Sequence, residues 1–231
     1  LFAGMAVGVL ISVLIAFLVG LPTLRLKGDY LAIATLGVAE IIRVAVTNMK
    51  ITNGAAGISG VPLTNTWTIT YIALVLTTIL ILNYTFSSAG RATYAVLQDE
   101  IAAESMGVQV TKYKILAFVL GAATASIGGT LSATTLGAVT PGDFTFMKSI
   151  DVLIIVVFGG IGSFTGSFVA AVLLGIINLV LQPFGQLRMI IYAVALILIM
   201  IFRPGGLLGT WEFKLGNLKF SKKKEAKESG K

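Results

Sequence analysis

LFAGMAVGVLISVLIAFLVGLPTL, Leu1 to Leu24, contains no charged side chain. A hydrocarbon core about 30 Å thick takes roughly 20 residues of helix to cross, so this stretch is long enough to span a membrane by itself. Working outward, Trp67 to Ser87 and Ile115 to Gly137 are also long enough to cross and likewise free of charge. Leu187 to Phe202 would reach only about 24 Å at 1.5 Å per residue, a gap that Arg188 and Arg203 can close by snorkelling. Two weaker segments lie between. Leu31 to Val46 carries Glu40 and Arg43, and Ile150 to Gln182 is interrupted by the run from Gly159 to Gly166. The second reads as a short helix, a glycine break and another helix.

The composition agrees with lipid as the solvent: 56% of residues are apolar, 12% are charged and the mean hydropathy is +0.96, far from a water-soluble surface. The expected fold is an all-α integral membrane protein, a polytopic helical bundle with broken helices. The chain opens on Leu1 inside an apolar stretch with no basic region ahead of it, which reads as a truncated N-terminus rather than a signal peptide. There is no Cys and no His, which removes disulfides, thiolate metal sites and the commonest general base. The net charge of +7 is concentrated at one end: eight of the seventeen Lys and Arg lie from Arg203 to Lys231. That is a tail effect and not a nucleic-acid groove.

Seven crossings follow from these segments, and the positive-inside rule orients them. One side holds Arg25 and Lys27, then Arg91, Lys112 and Lys114, then the glycine break and the tail, thirteen of the seventeen basic residues. The other holds Lys50, Lys148 and Arg188, with Arg43 near its edge. The first side is therefore cytoplasmic, and the Asn53 to Asn65 and Pro141 to Lys148 loops face outward. Two domains are expected: a membrane domain over 1–209, containing a cytoplasmic loop over 88–114, and a lysine-rich cytoplasmic tail over 210–231 that can touch anionic lipid.

Charges inside a membrane are costly and usually face a bundle interior or a cavity. Glu40 and Arg43 are three residues apart and share a helix face, which suits either a structural ion pair or a place on a substrate path. Gly4 and Gly8, Gly162 and Gly166, and the series Gly121, Ala125, Ser126 and Thr130 read as packing seams. Asp29-x-Leu31-x-Ile33-x-x-x-Gly37 recurs as Asp151-x-Leu153-x-Ile155-x-x-x-Gly159, running outward in the first copy and inward in the second. Such inverted repeats often frame a transporter's path, although four identities in apolar helices also arise by chance. Backbone broken at membrane depth must line water or be buried in protein, so Asp29, Thr35, Gly37, Glu40, Asp151, Gly159, Gly160 and Gly162 are the candidate path residues.

The cytoplasmic loop reads GRATYAVLQDEIAAESMGV, Gly90 to Val108. It has the pattern of a short amphipathic helix stopped by Gly107, with Asp99, Glu100 and Glu104 interleaved among Ala and Ile. Ala102-Ala103-x-x-x-Gly107 resembles the core of the EAA loop of ABC importer permeases, the helix that fits a groove on the ATPase. Ile101 stands where that motif has Glu, Glu100 lies one place earlier, and the downstream Leu-Pro is missing. Together with LRLKGDYLAIATLG (Leu24 to Gly37), NGAAGISGVP (Asn53 to Pro62), VVFGGIGSFTG (Val156 to Gly166) and FRPGGLLG (Phe202 to Gly209), the loop resembles the LivM-type permeases of branched-chain amino acid importers.

That resemblance implies a non-enzymatic transport subunit in a bacterial cytoplasmic membrane. It also implies a second related permease subunit, two cytoplasmic ATPases, and an external binding protein that delivers leucine, isoleucine or valine. Arg91, Asp99, Glu100, Ala102, Ala103, Glu104 and Gly107 become the residues expected to engage the ATPase. No Gly-x-x-x-x-Gly-Lys-[Ser/Thr] is present, so ATP and Mg belong to partner subunits. A same-family permease for urea, short amides or other amino acids fits nearly as well. An ion-coupled secondary transporter would use Glu40, Asp151 and the repeat, but leaves the Ala-Ala-x-x-x-Gly loop unexplained.

The charge asymmetry yields a direct test on this cysteine-free chain. Single cysteines at Asn53 or Asp143 should react with an impermeant thiol reagent applied from outside, and cysteines at Gln109 or Lys223 should not. Reaction at Gln109 from outside would reverse the orientation.

Overall fold

The structure, a computed structural model, describes residues 1–26, 28–160 and 162–181, with Pro183, Val194 and Ile197 besides. Apart from Val194 and Ile197, the expected span over 187–202 lies outside the described residues, as do the FRPGGLLG stretch and the boundary at 209/210. The chain forms two compact units, Leu1–Phe146 and Met147–Lys231.

In the first unit the long helices are α1 (Phe2–Thr23), α2 (Asp29–Asn48), α3 (Trp67–Phe86) and α6 (Val110–Leu136), with the short α4 (Ser88–Gln98) and α5 (Glu100–Ser105) between the last two. The second unit contributes α7 (Phe146–Gly159, its first residue shared with the first unit) and α8 (Phe164–Leu181). Five of these helices, α1, α2, α3, α6 and α8, are long and apolar enough to cross a membrane. With 14 residues α7 reaches only about 21 Å. Among the described residues the all-α expectation holds but for one two-residue strand pair, β1 (Ile58–Ser59) antiparallel to β2 (Ala138–Val139).

The main packing of the first unit is α1 against α6. Gly8 faces Ser126 and Thr130, Gly20 faces Phe118, and the Ser12 hydroxyl donates to the Ala122 carbonyl at 2.9 Å. These pairs run in opposite directions along the two helices, so the helices are antiparallel. Of the small residues expected in seams, Gly8, Ser126 and Thr130 take part, whereas a Cβ at Gly4 or Gly121 would meet nothing.

At one end of the unit, α6 and α3 are joined through Asn65. Its amide donates to the Leu131 carbonyl at 3.3 Å and to Thr135 Oγ1 at 2.7 Å, while Thr70 donates back to its Oδ1 at 3.1 Å. The same end carries the β1–β2 pair, extended by Val61 N–H donating to the Gly137 carbonyl at 3.0 Å. The loops after α2 and after α6, assigned to one side by charge, are thus physically paired. Gly57 makes this possible: its φ is +74°, and a Cβ there would sit 2.2 Å from the Val139 carbonyl oxygen. The NGAAGISGVP stretch is the sequence of this turn.

In the second unit the glycine break falls where it was expected, between α7 and α8. Gly160 and Gly162 take φ of +113° and +93°, which glycine adopts without steric cost. Ser163 caps α8, its hydroxyl accepting from Gly166 N–H at 3.0 Å. The helix ends meet backbone to backbone, because a Cβ on Gly166 would lie 2.1 Å from the Gly159 carbonyl oxygen. Phe158, Ala170 and Leu174 are buried together beside this crossing. A Gly166→Ala substitution should therefore lower the thermal midpoint of the detergent-purified protein, by overpacking worth about 1–3 kcal/mol. Gly175→Ala in the same helix has open space and should leave the midpoint unchanged or raise it.

Candidate functional site

The segment between α3 and α6 was expected to be one helix. It is two, because Asp99 takes an extended conformation (φ −157°, ψ 114°) and turns its side chain on the next helix. Its Oδ1 accepts from Ile101 N–H at 2.8 Å and Ala102 N–H at 3.0 Å, the geometry of an N-cap. Asp99 ends α4 and starts α5, a role that the Asp-Glu pair in the sequence allowed but did not require.

The corner from α3 into α4 is set by small and polar groups. Ser87 caps α4 by accepting from Gly90 N–H at 3.1 Å, and Tyr84 OH meets Thr93 Oγ1 at 2.6 Å. Gly90 is buried at the turn: a Cβ there would lie 2.2 Å from the Tyr84 carbonyl oxygen. Arg91 donates to the Phe86 carbonyl at 3.0 Å, satisfying one of the last acceptors of α3.

At the other end α5 closes through Gly107, whose φ is +82°. Gly107 N–H donates to the Glu104 carbonyl at 2.9 Å and Val108 N–H to the Ala103 carbonyl at 3.0 Å. This is the Schellman closure, and it confirms Gly107 as the stop. Only Gly107, Val108 and Gln109 separate the α5 cap from α6, and Lys112 and Lys114 fall inside α6 rather than in the loop.

Two of the expected partner-facing residues are occupied within the chain. Ala103 is buried, so its small side chain serves internal packing and not an approach from outside. Glu100 pairs with Lys114, so it is not an unengaged acid awaiting a basic partner. What the helices present outward is Tyr94, Leu97, Ile101 and Met106, the last two 73% and 85% exposed, together with Ala102 and Glu104. The exposed apolar residues were not singled out from the sequence, and helical spacing could not have paired Leu97 with Ile101, because the extended Asp99 lies between them.

Beneath the cap, Phe17, Glu104, Gly107, Gln109, Lys112 and Leu116 line an open cavity of about 790 Å³.

The path candidates are scattered. Thr35 lines a cavity of about 460 Å³ with Gly8, Ser12, Ala16, Val38 and Phe118, but its hydroxyl is turned back to the Leu31 carbonyl at 2.9 Å. Glu40 and Arg43 form a two-toothed ion pair on the exposed surface of α2, with Arg43 Nε 2.9 Å from Oε2. Asp29 lies in the first turn of α2, and Asp151 is exposed on α7. The two copies of the repeat differ in surroundings. A Cβ on Gly37 would meet nothing, whereas one on Gly159 would lie 2.5 Å from the Gly166 and Ser167 backbone. Gly159 is a packing glycine, Gly160 is buried, and Gly162 is exposed in the break.

Comparison with known proteins places these features in a family context. Residues 1–202 match the family model described as branched-chain amino acid transport system, permease component. The chain is 37% identical to the high-affinity branched-chain amino acid transport system permease protein LivM of Salmonella typhimurium, over 86% of this chain and 55% of that protein. It is 36% identical to the LivM of Escherichia coli K12, over 83% of this chain and 53% of the relative. It is also 30% identical to the E. coli K12 permease protein LivH, over 62% and 46%. The chain thus spans about half the length of these relatives. No solved structure matches it.

The cap geometry makes Gly107 a sensitive position. Gly107→Val should destabilise the α5 closure by about 1–2 kcal/mol, the cost of a Cβ in the left-handed region. Amide exchange over 100–108 should then quicken, while Gly107→Asn, which tolerates this conformation, should keep most of the protection.

Proposed function

The chain belongs to the branched-chain amino acid transport system permease family, and on that premise we propose that it is a transmembrane subunit of an ATP-driven importer of leucine, isoleucine and valine, coupled to separate ATPases through α4 and α5. One observation carries the coupling assignment. The α4–α5 segment is a capped pair of helices at the α3–α6 turn that presents Leu97, Ile101, Ala102 and Met106 outward. A solvated loop has no reason to order its backbone this closely while exposing its largest apolar side chains.

The positive-inside count supports a cytoplasmic position for this segment, where ATPases would meet it, and an outer position for the β1–β2 pair, where a binding protein would deliver substrate. The similarity to both LivM and LivH supports pairing with a second, related permease. Two ATPases that bind ATP and Mg, and an external binding protein, complete the proposed complex in the cytoplasmic membrane. Substrate selection would rest first on the binding protein, because Glu40 and Arg43, the acid and base of α2 that could answer an ammonium and a carboxylate, are paired with each other.

The surface is tested where its side chains are not needed internally. Ile101→Asp and Ala102→Trp should leave insertion and permease pairing intact, reduce co-purification of the ATPase, and cut substrate-stimulated ATP hydrolysis at least tenfold. Exposed substitutions without a partner usually stay within about 0.5 kcal/mol, so wild-type behaviour of both variants would remove α4 and α5 from the coupling role. Uptake of urea or a short amide in place of leucine by the reconstituted complex would redirect the substrate assignment within the family.

A further inference from the structure

We infer that Glu100 and Lys114 act together as a positioning clamp that fixes α5 to α6, so that a displacement of α5 reaches the membrane as a displacement of α6. This rests on α5 being the ATPase contact, and concerns how that contact is transmitted. Three features carry it. First, Glu100, the first residue of α5, is ion-paired to Lys114, which lies one turn into α6 and is only 18% exposed. Secondly, the far end of α5 is held by the Gly107 closure, with Val108 N–H on the Ala103 carbonyl, and α6 begins at Val110. Thirdly, Ala103, between these two attachments, is buried.

A helix held at one end pivots, whereas a helix held at both ends follows what holds it. The Gly107 end continues into α6, whereas the Glu100 end continues through Asp99 into α4, so the ion pair is what ties that end to α6 by a side chain. An isolated surface ion pair contributes little to stability. Its consequence here is geometric, fixing an angle rather than adding to the fold.

The rest of α6 suits it as the recipient. It is continuous for 27 residues, about 40 Å, and packs against α1 through Ser12 and Gly8. Its far end holds Asn65 through Leu131 and Thr135 and leads directly into β2. A push at Lys114 therefore has a continuous mechanical route to the β1–β2 end. Lys112, two residues away, is exposed and serves as the control charge.

The test uses the complete transporter in proteoliposomes, reading ATPase co-purification, ATP hydrolysed and leucine taken up. Glu100→Lys and Lys114→Glu should each retain the ATPase yet lower leucine transported per ATP at least fivefold. The exchanged pair E100K/K114E should recover at least half of the wild-type ratio, and Lys112→Glu should leave it unchanged. As an independent arm, E100C/K114C joined by a short thiol cross-linker should keep the wild-type ratio, because a covalent tie replaces the ionic one. Wild-type coupling in both single variants would overturn the clamp. Loss of the ATPase from Glu100→Lys without recovery in the exchanged pair would also overturn it, by making Glu100 a direct partner contact. Failure of the coupling site itself would show separately, as full ATPase retention and full coupling in Ile101→Asp.

Discussion

The close antiparallel approach of α1 and α6 is the constraint on which the first unit depends. Between helices in lipid there is no hydrophobic drive to associate, since the tails are as apolar as the side chains, and contact must come from close packing and interhelical hydrogen bonds. Gly8 and Gly20 bring α1 near α6, and Ser12 gives the Ala122 carbonyl a second donor at 2.9 Å. Each such bond contributes only about 0.6–2 kcal/mol. The seam holds α6 along its middle, and both ends of α6 carry structure: α5 and the Glu100–Lys114 pair at one, Asn65 and the strand pair at the other.

The spans were legible because the bilayer imposes a length on them. Leu1 to Leu24 and Trp67 to Ser87 correspond to α1 and α3 within two residues. The charge-free run starts at Ile115, five residues after the true start of α6 at Val110, because Lys112 and Lys114 read as loop. A charged residue in the first turn of a long helix can reach the interface with its stem along the apolar surface, so charge marks the edge of the membrane and not the edge of the helix. The strand pair was not legible, since its four residues carry no alternating pattern and owe their pairing to the close approach at Gly57 and to Val61 N–H on the Gly137 carbonyl.

Glycines show the same difference between pattern and place. The Gly162 and Gly166 spacing points to one helix face, yet Gly162 stands outside the helix in a left-handed conformation, and Gly166 packs on Gly159. The contact was hidden because its two members lie on either side of a chain reversal, where helical spacing has no meaning. Backbone accommodation at Gly159 and Gly166 fully accounts for these two glycines, and neither needs a translocating solute to explain it.

The acids of α4 and α5 differ in what holds them. An amphipathic reading treats Asp99, Glu100 and Glu104 as one polar face, but each carboxylate has a different use. Asp99 is held by the backbone of α5, Glu100 by Lys114, and Glu104 remains exposed. Arg91 likewise spends a donor on the Phe86 carbonyl. With most of its charge engaged internally, the segment offers a partner a predominantly apolar surface built from Leu97, Ile101, Ala102 and Met106. Association through such a surface depends on shape and burial more than on long-range attraction. On the proposed reading, recognition of the ATPase would therefore be only weakly sensitive to salt, because screening acts on exposed charges and leaves apolar contact largely untouched.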